Sequence, residues 1–264
     1  MKARPWFGLL LVAALALGFA FLVFPVVAIF FHTAPSKLVS SLGDEASTDA
    51  LRLSLETSTI AMAAVVAVGT PAAYWLATRV FKAKPVLVAM LELPLVLPPA
   101  VAGIGLFAAF GRFGLLGGVL RAVGVEIPFT QVAVVMALAF VASPFYVRQA
   151  HAAFAAVDPE LLGAARTLGA GPGGAFWRVG VPVARQGLSA GAALAWARAL
   201  GEFGATIMFA GNFVGRTQTM PLAIYQSMES DLNVSLTLST ILVVASFAVL
   251  LVFRLLVRRG VPGG

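Results

Sequence analysis

Long apolar runs set the hydropathy pattern of this 264-residue chain, and only short polar breaks interrupt them. Six stretches, at about 6–31, 54–78, 86–110, 130–150, 187–210 and 235–257, meet the roughly 18 apolar residues that a bilayer-crossing helix needs. Lys2 and Arg4 precede the first. Its apolar part far exceeds the about 7–15 residues of a secretion signal, so it is expected to be retained as a span. Backbone polar groups in lipid need internal partners, which predicts an all-α integral membrane protein. The expected organisation is a first helix with an outer loop over 1–53, a helical membrane domain over 54–257 and a tail over 258–264. The last residues of that tail, 260–264, are expected to fray. No linker, soluble domain or short internal repeat stands out.

One segment, 158–182, breaks the pattern. Asp158 is a natural N-cap, Pro159 fits the first helical position, and Glu160 suits the positive end of the helix dipole. Leu161, Leu162, Ala165 and Leu168 recur at helical spacing, and Gly169 fits a C-terminal stop. Gly171-Pro172-Gly173-Gly174 predicts a turn. Phe176, Trp177 and Val179 then form a second apolar patch ending at Pro182. Two short amphipathic helices between spans predict a docking surface.

Composition narrows the classes. Apolar residues make up 60% and charged residues 11%, against about 25% charged in soluble domains. The net charge of +7 comes from cations clustered at span ends, so it does not predict nucleic-acid binding. Lys2, Arg4, Arg79, Lys82, Lys84, Arg148, Arg166, Arg178, Arg185, Arg254, Arg258 and Arg259 fall on one side. Lys37, Arg52, Arg112, Arg121 and Arg216 fall on the other, and Arg198 lies within a span. That asymmetry predicts cytoplasmic termini and a cytoplasmic 158–182 loop. The absence of cysteine excludes disulfides, thiolate metal sites and cysteine nucleophiles, and His32 and His151 are far apart in sequence. Neither a catalytic cluster nor a metal site is expected. No phosphate-binding G-x-x-x-x-G-K-[ST] loop occurs, so any ATP-driven work falls to a separate chain.

Gly163-Ala164-Ala165, Gly169 and Val179-Gly180-Val181-Pro182 resemble the EAA loop of ABC importer permeases, E-A-A-x3-G-x9-I-x-L-P. The spacing fits throughout; Gly163 stands where the family has Glu, and Val179 and Val181 stand for Ile and Leu. The resemblance implies six spans of the type I importer fold and a coupling helix that docks on an ATPase. The docking residues carried over are Asp158, Pro159, Glu160, Leu161, Leu162, Gly163, Ala164, Ala165, Leu168 and Gly169.

Two polar or broken places inside spans are candidate pathway elements. Pro94, Pro98 and Pro99, followed by Gly103 and Gly105, predict a kinked third span. The freed carbonyls fit either a cavity wall or a packing kink. Glu92 just before it is expected to be interfacial. Arg198 and Glu202, four residues apart, are expected to pair on one face of the fifth span. Gly201 and Gly204 would let another helix approach. The pair reads equally as a gate element or as an ion pair joining helices.

The segments 93–103, 164–171, 197–213 and 216–225 resemble the molybdate permeases, with sulfate permeases as near relatives. This resemblance implies a homodimer, two copies of a cytoplasmic ATPase carrying ATP and Mg, and an external molybdate-binding protein. No cofactor is expected on this chain itself, and its remaining partner is membrane lipid. A dianion needs donors but would be trapped by a lone fixed cation, so Thr206 and Ser143 are candidate neutral donors beside Pro98, Pro99, Arg198 and Glu202. Rival readings are the same machine for sulfate, tungstate or another small anion, a passive channel or scaffold, and an intramembrane enzyme. The last lacks any paired acid, histidine cluster or Ser/Lys arrangement.

Overall fold

A computed structural model describes residues 5–33 and 35–259; Lys2, Arg4 and the 260–264 tail lie outside the described residues. The described chain is helical: α1 (Pro5–His32), α2 (Pro35–Leu42), α3 (Glu45–Thr78), α4 (Lys84–Val96), α5 (Pro99–Phe110), α6 (Gly117–Ala122), α7 (Gln131–Ala155), α8 (Pro159–Thr167), α9 (Pro172–Ala175), α10 (Val181–Leu200), α11 (Gly204–Ala210), α12 (Met220–Ser230) and α13 (Leu232–Arg259). Among the described residues, α1, α3, α7 and α13 are each long and apolar enough to span a membrane alone. Helices α4 and α5 meet the same measure only as a bent pair, either one broken span or a re-entrant loop.

Three expectations about the spans change. The 86–110 run is not one helix, because α4 and α5 meet at 114° across Leu97-Pro98. Two prolines at the break remove donors and fix the chain in an extended step. The 187–210 run is likewise two helices, α10 and α11, parted at Gly201-Glu202-Phe203. The second span starts at Glu45, nine residues before position 54. There Asp44 Oδ2 accepts the Ser47 N–H at 3.1 Å, and Arg52 pairs with Glu56 at 2.6 Å one turn apart. Apolar runs cannot show this extension, since its support is polar.

The core is a three-helix unit of α3, α7 and α10. Helices α3 and α7 run parallel, with Thr70 facing Tyr146 and Tyr74 facing Phe154; α10 returns antiparallel. Lipid tails are as apolar as the side chains, so close packing holds such helices together. Glycine supplies the closeness at two crossings. A Cβ on Gly69 would fall 2.9 Å from the Tyr146 ring, and one on Gly191 would fall 2.9 Å from Gln149 Cβ. Polar links add direction: the Tyr146 and Thr70 hydroxyls bond at 2.6 Å, and Trp196 Nε1 donates to Ser58 Oγ at 2.9 Å.

Tyr146→Phe is expected to cost about 1 kcal/mol, the usual scale of an interhelical hydrogen bond in a membrane. Thr70 keeps its bond to the Val66 carbonyl, so the loss stays small. Thermal denaturation of the purified protein checks it.

A smaller core joins α3, α12 and α13 through Ala50, Met220, Ala223, Leu238 and Ile241. The apolar window of α1 is unburied, and Thr33 ties the helix end to α13 by a 2.9 Å bond with Thr240.

Candidate functional site

At the end of α7 the chain turns into α8, whose local structure follows from its caps. Asp158 Oδ1 accepts the Glu160 N–H at 2.9 Å, with Pro159 at the first helical position. At the other end Leu168 is the cap and Gly169 takes φ +87°. Ala170 N–H then reaches the Ala165 carbonyl at 2.9 Å and Gly169 N–H reaches Arg166 at 3.0 Å. This left-handed closure satisfies carbonyls the helix leaves open.

The faces of α8 divide unequally. Leu162 is buried against the body and Ala165 half-buried. Leu161 is 47% exposed and Leu168 89% exposed, while Gly163 and Ala164 are also exposed. A Cβ at Gly163 would meet nothing. The helix thus offers a small apolar and backbone-rich face to whatever lies beyond this end of the bundle.

The expected turn at Gly171-Pro172-Gly173-Gly174 is instead the start of α9. Nor does Pro182 end the second patch. Residues 176–180 form a widened helical turn in which Val181 N–H reaches the Phe176 carbonyl, and α10 runs on through Pro182. A wide turn accommodates the donor that Pro182 lacks. Phe176 locks this junction onto the core. Its ring stands 4.9 Å from Tyr74 and 6.2 Å from Phe154 between centroids. These rings join the ends of α3 and α7 to the turn that leads into α10.

The candidate pathway residues fall into two groups. Pro98 is exposed at the α4–α5 break. Pro99 starts α5 and lies under α11, where a Cβ on Gly204 would come within 2.7 Å of Pro99 Cβ. A Cβ on Gly103 would come within 2.6 Å of the Ala205 carbonyl. These two glycines let α5 and α11 touch backbone to backbone; Gly201 has only a 3.9 Å neighbour within its own helix and makes no such approach. Ser143 stands apart on α7, where its hydroxyl donates to the Phe140 carbonyl at 3.1 Å. Its donor is therefore spent inside its own helix. Thr206 is fully buried and its Oγ1 has no hydrogen-bond partner.

Arg198 and Glu202 do meet, with Nη1 to Oε2 at 2.7 Å, but across the end of α10 rather than along one helix. The Glu202 side chain is 1% exposed and that of Arg198 30% exposed. Glu202 Oε1 also accepts the Ala205 N–H at 2.7 Å. One carboxylate thus closes α10 through the arginine and caps the first turn of α11.

Some polar partners were not visible in the sequence. Glu92 on α4 reaches Arg148 on α7 at 3.6 Å, and with His151 they line a cavity of about 30 Å³. The Glu92–Arg148 pair is half exposed, and such pairs contribute little. Within the 216–225 motif, Thr217 Oγ1 accepts the Phe213 N–H at 3.1 Å and Gln218 Nε2 donates to Gln226 Oε1 at 2.6 Å. Met220 N–H donates to Ser54 Oγ at 2.7 Å. The last of these bonds fastens the start of α12 to α3.

Residues 69–261 match the family described as binding-protein-dependent transport system inner membrane component. The chain is 38% identical over 250 residues to the probable transport system permease protein NifC of Clostridium pasteurianum, covering 94% of this chain and 87% of that one. It is 40% identical over 234 residues to the molybdenum transport system permease protein ModB of Mycobacterium tuberculosis, covering 89% of each. Its fold matches a bacterial alginate ABC transporter solved in complex with an alginate pentasaccharide-bound periplasmic protein. That match has TM-score 0.79, 13% identity and coverage of 96% of this chain and 94% of that one. With its family match over most of its length and its all-helical fold, the chain belongs to the binding-protein-dependent transport system inner membrane components, the permease subunits of ABC importers.

Proposed function

We propose that this permease moves molybdate inward across the cytoplasmic membrane by alternating access. The observation that carries the cargo is the 40% identity, over 89% of both chains, to a permease named for molybdenum transport. In this reading two copies of the chain pair around the pathway, and an external binding protein delivers the oxyanion. Two cytoplasmic ATPase subunits supply ATP and Mg; this chain holds neither. The termini and α8 face the cytoplasm, as the excess of basic residues on that side favours.

The coupling runs through elements already described. Closure of the ATPase pair pushes on the exposed face of α8. The Phe176–Tyr74–Phe154 cluster passes that push to α3, α7 and α10. Helices α5 and α11, in backbone contact, flank the breaks at 97–98 and 201–203, where rigid segments can change their mutual angle. Ser143 is bonded within its own helix and Thr206 is buried, so high affinity for the oxyanion is left to the binding protein.

The test is ATPase activity of the reconstituted complex with its cognate ATPase and binding protein, titrated with molybdate, tungstate and sulfate. Stimulation by molybdate or tungstate and not by sulfate is the expected result. Stimulation by sulfate alone overturns the cargo and keeps the importer. Failure to assemble with an ATPase overturns the coupling scheme.

A further inference from the structure

At the opposite end of the bundle from α8, the connection from α5 to α7 encloses a cavity of about 200 Å³. Phe107, Phe110 and Phe129 form its apolar walls, and Arg112, Arg121 and Glu126 bring charge to it. Gly111 and Gly117 are buried where the chain doubles back on itself. Phe129 holds φ 62°, a conformation bulky residues seldom adopt. Its N–H reaches the Phe209 carbonyl at 3.4 Å, and its ring lies 5.9 Å from Phe107 and 6.0 Å from Phe213. The wall is thus built by packing from three parts of the chain.

Neither arginine makes an ion pair among the described residues, whereas Arg52, Arg148 and Arg198 each do. Arg121 spends Nε on the Gly117 carbonyl at 3.3 Å, which orients the guanidinium and leaves its terminal amino groups for another acceptor. Two forked donors around a recess with one carboxylate suit a tetrahedral oxyanion, since guanidinium geometry matches phosphate-like oxygens. Beside the cavity, Phe113, Leu115, Val119 and Val123 are between 65% and 93% exposed, as side chains at a lipid interface would be.

We propose that this recess binds a tetrahedral oxyanion through Arg112 and Arg121. Two sources share that chemistry: the phosphate of an anionic lipid headgroup and a free oxyanion at the outer mouth. Glu126 opposes either and keeps the site weak. The inference does not depend on the cargo or on coupling to ATP.

The experiment uses the full-length purified transporter. Native mass spectrometry reads retention of phosphatidylglycerol, and equilibrium dialysis of lipid-depleted protein reads binding of labelled inorganic phosphate and molybdate. Arg112→Gln with Arg121→Gln is expected to weaken binding about fivefold or more, and Glu126→Gln to strengthen it about threefold, because charge-assisted bonds dominate such sites. Val125→Trp fills the recess without changing charge and should act like the arginine variants. Arg52→Gln, an exposed cation elsewhere on this side, should change nothing. An effect on lipid alone assigns the headgroup, and an effect on free anions alone assigns the soluble oxyanion. If the arginine and Val125 variants bind both probes as the parent does, or if the parent binds neither, the proposal falls.

Discussion

Glu202→Ala is expected to lower the stability of the transporter by about 3–5 kcal/mol, the cost of breaking a buried ion pair by removing one partner. Two losses coincide. Arg198 would keep its charge at the end of α10 with its 2.7 Å partner gone. The Ala205 N–H would lose its acceptor in the first turn of α11, worth about another 1 kcal/mol as a cap. Because α11 packs backbone to backbone on α5, loosening its start also frees the contact between Gly204 and Pro99. Thermal denaturation of the purified complex should show a lowered midpoint, and molybdate-stimulated ATPase activity should fall with it. An unchanged midpoint would mean the pair adds no net stability.

Conservative variants separate packing from transport. Glu202→Gln keeps an oxygen for the Ala205 N–H but removes the charge, stranding Arg198. Adding Arg198→Met removes both charges and leaves volume in place, and such replacements are often neutral or stabilising. The double variant should therefore recover the midpoint. If transport recovers too, the pair is an inter-element tie. If the folded double variant stays inactive, the charges act in the pathway itself. The sequence left those two readings level, and this comparison decides between them.

What the sequence could and could not disclose follows from the range of the forces involved. The ends of α8 were legible because Asp158, Pro159 and Gly169 act within one turn of themselves. The first span was legible because nothing but its own apolar length defines it. The proline step at 97–98 signalled a kink, but not the 114° bend, which also needs Gly103 and Gly204 to admit the contact of α5 with α11. The break at 201–203 hid inside an apolar run, since its cause is a carboxylate satisfied by two partners on different helices. The candidate donors divided in the same way. Ser143 is bonded within its own turn, whereas Thr206 is sealed in the core with an idle hydroxyl. The paired arginines of the α5–α7 recess lie nine positions apart, and only the doubling back of the chain brings both to one cavity.

Charge placed on the exposed face of α8 should uncouple the transporter without unfolding it. Leu168 is 89% exposed and Leu161 47% exposed, so Leu161→Asp with Leu168→Asp removes little internal packing. Buried apolar anchors dominate most interfaces, and losing one costs about 2 kcal/mol or more; each 1.4 kcal/mol is about tenfold in affinity. The double variant should thus lose copurification with the ATPase by roughly tenfold or more while its melting midpoint stays near the parent's. Leu162→Asp is the internal contrast, because that side chain is buried and its variant should lose stability first. Gly169 makes a poor probe of docking. Its φ of +87° strains any side chain by about 1–2 kcal/mol, so a defect there would mix misfolding with uncoupling. Gly163→Glu, which places the side chain the EAA pattern carries into open space, should be tolerated with coupling intact. If the Leu161 and Leu168 variant binds the ATPase and responds to loaded binding protein like the parent, the push enters the bundle somewhere other than α8.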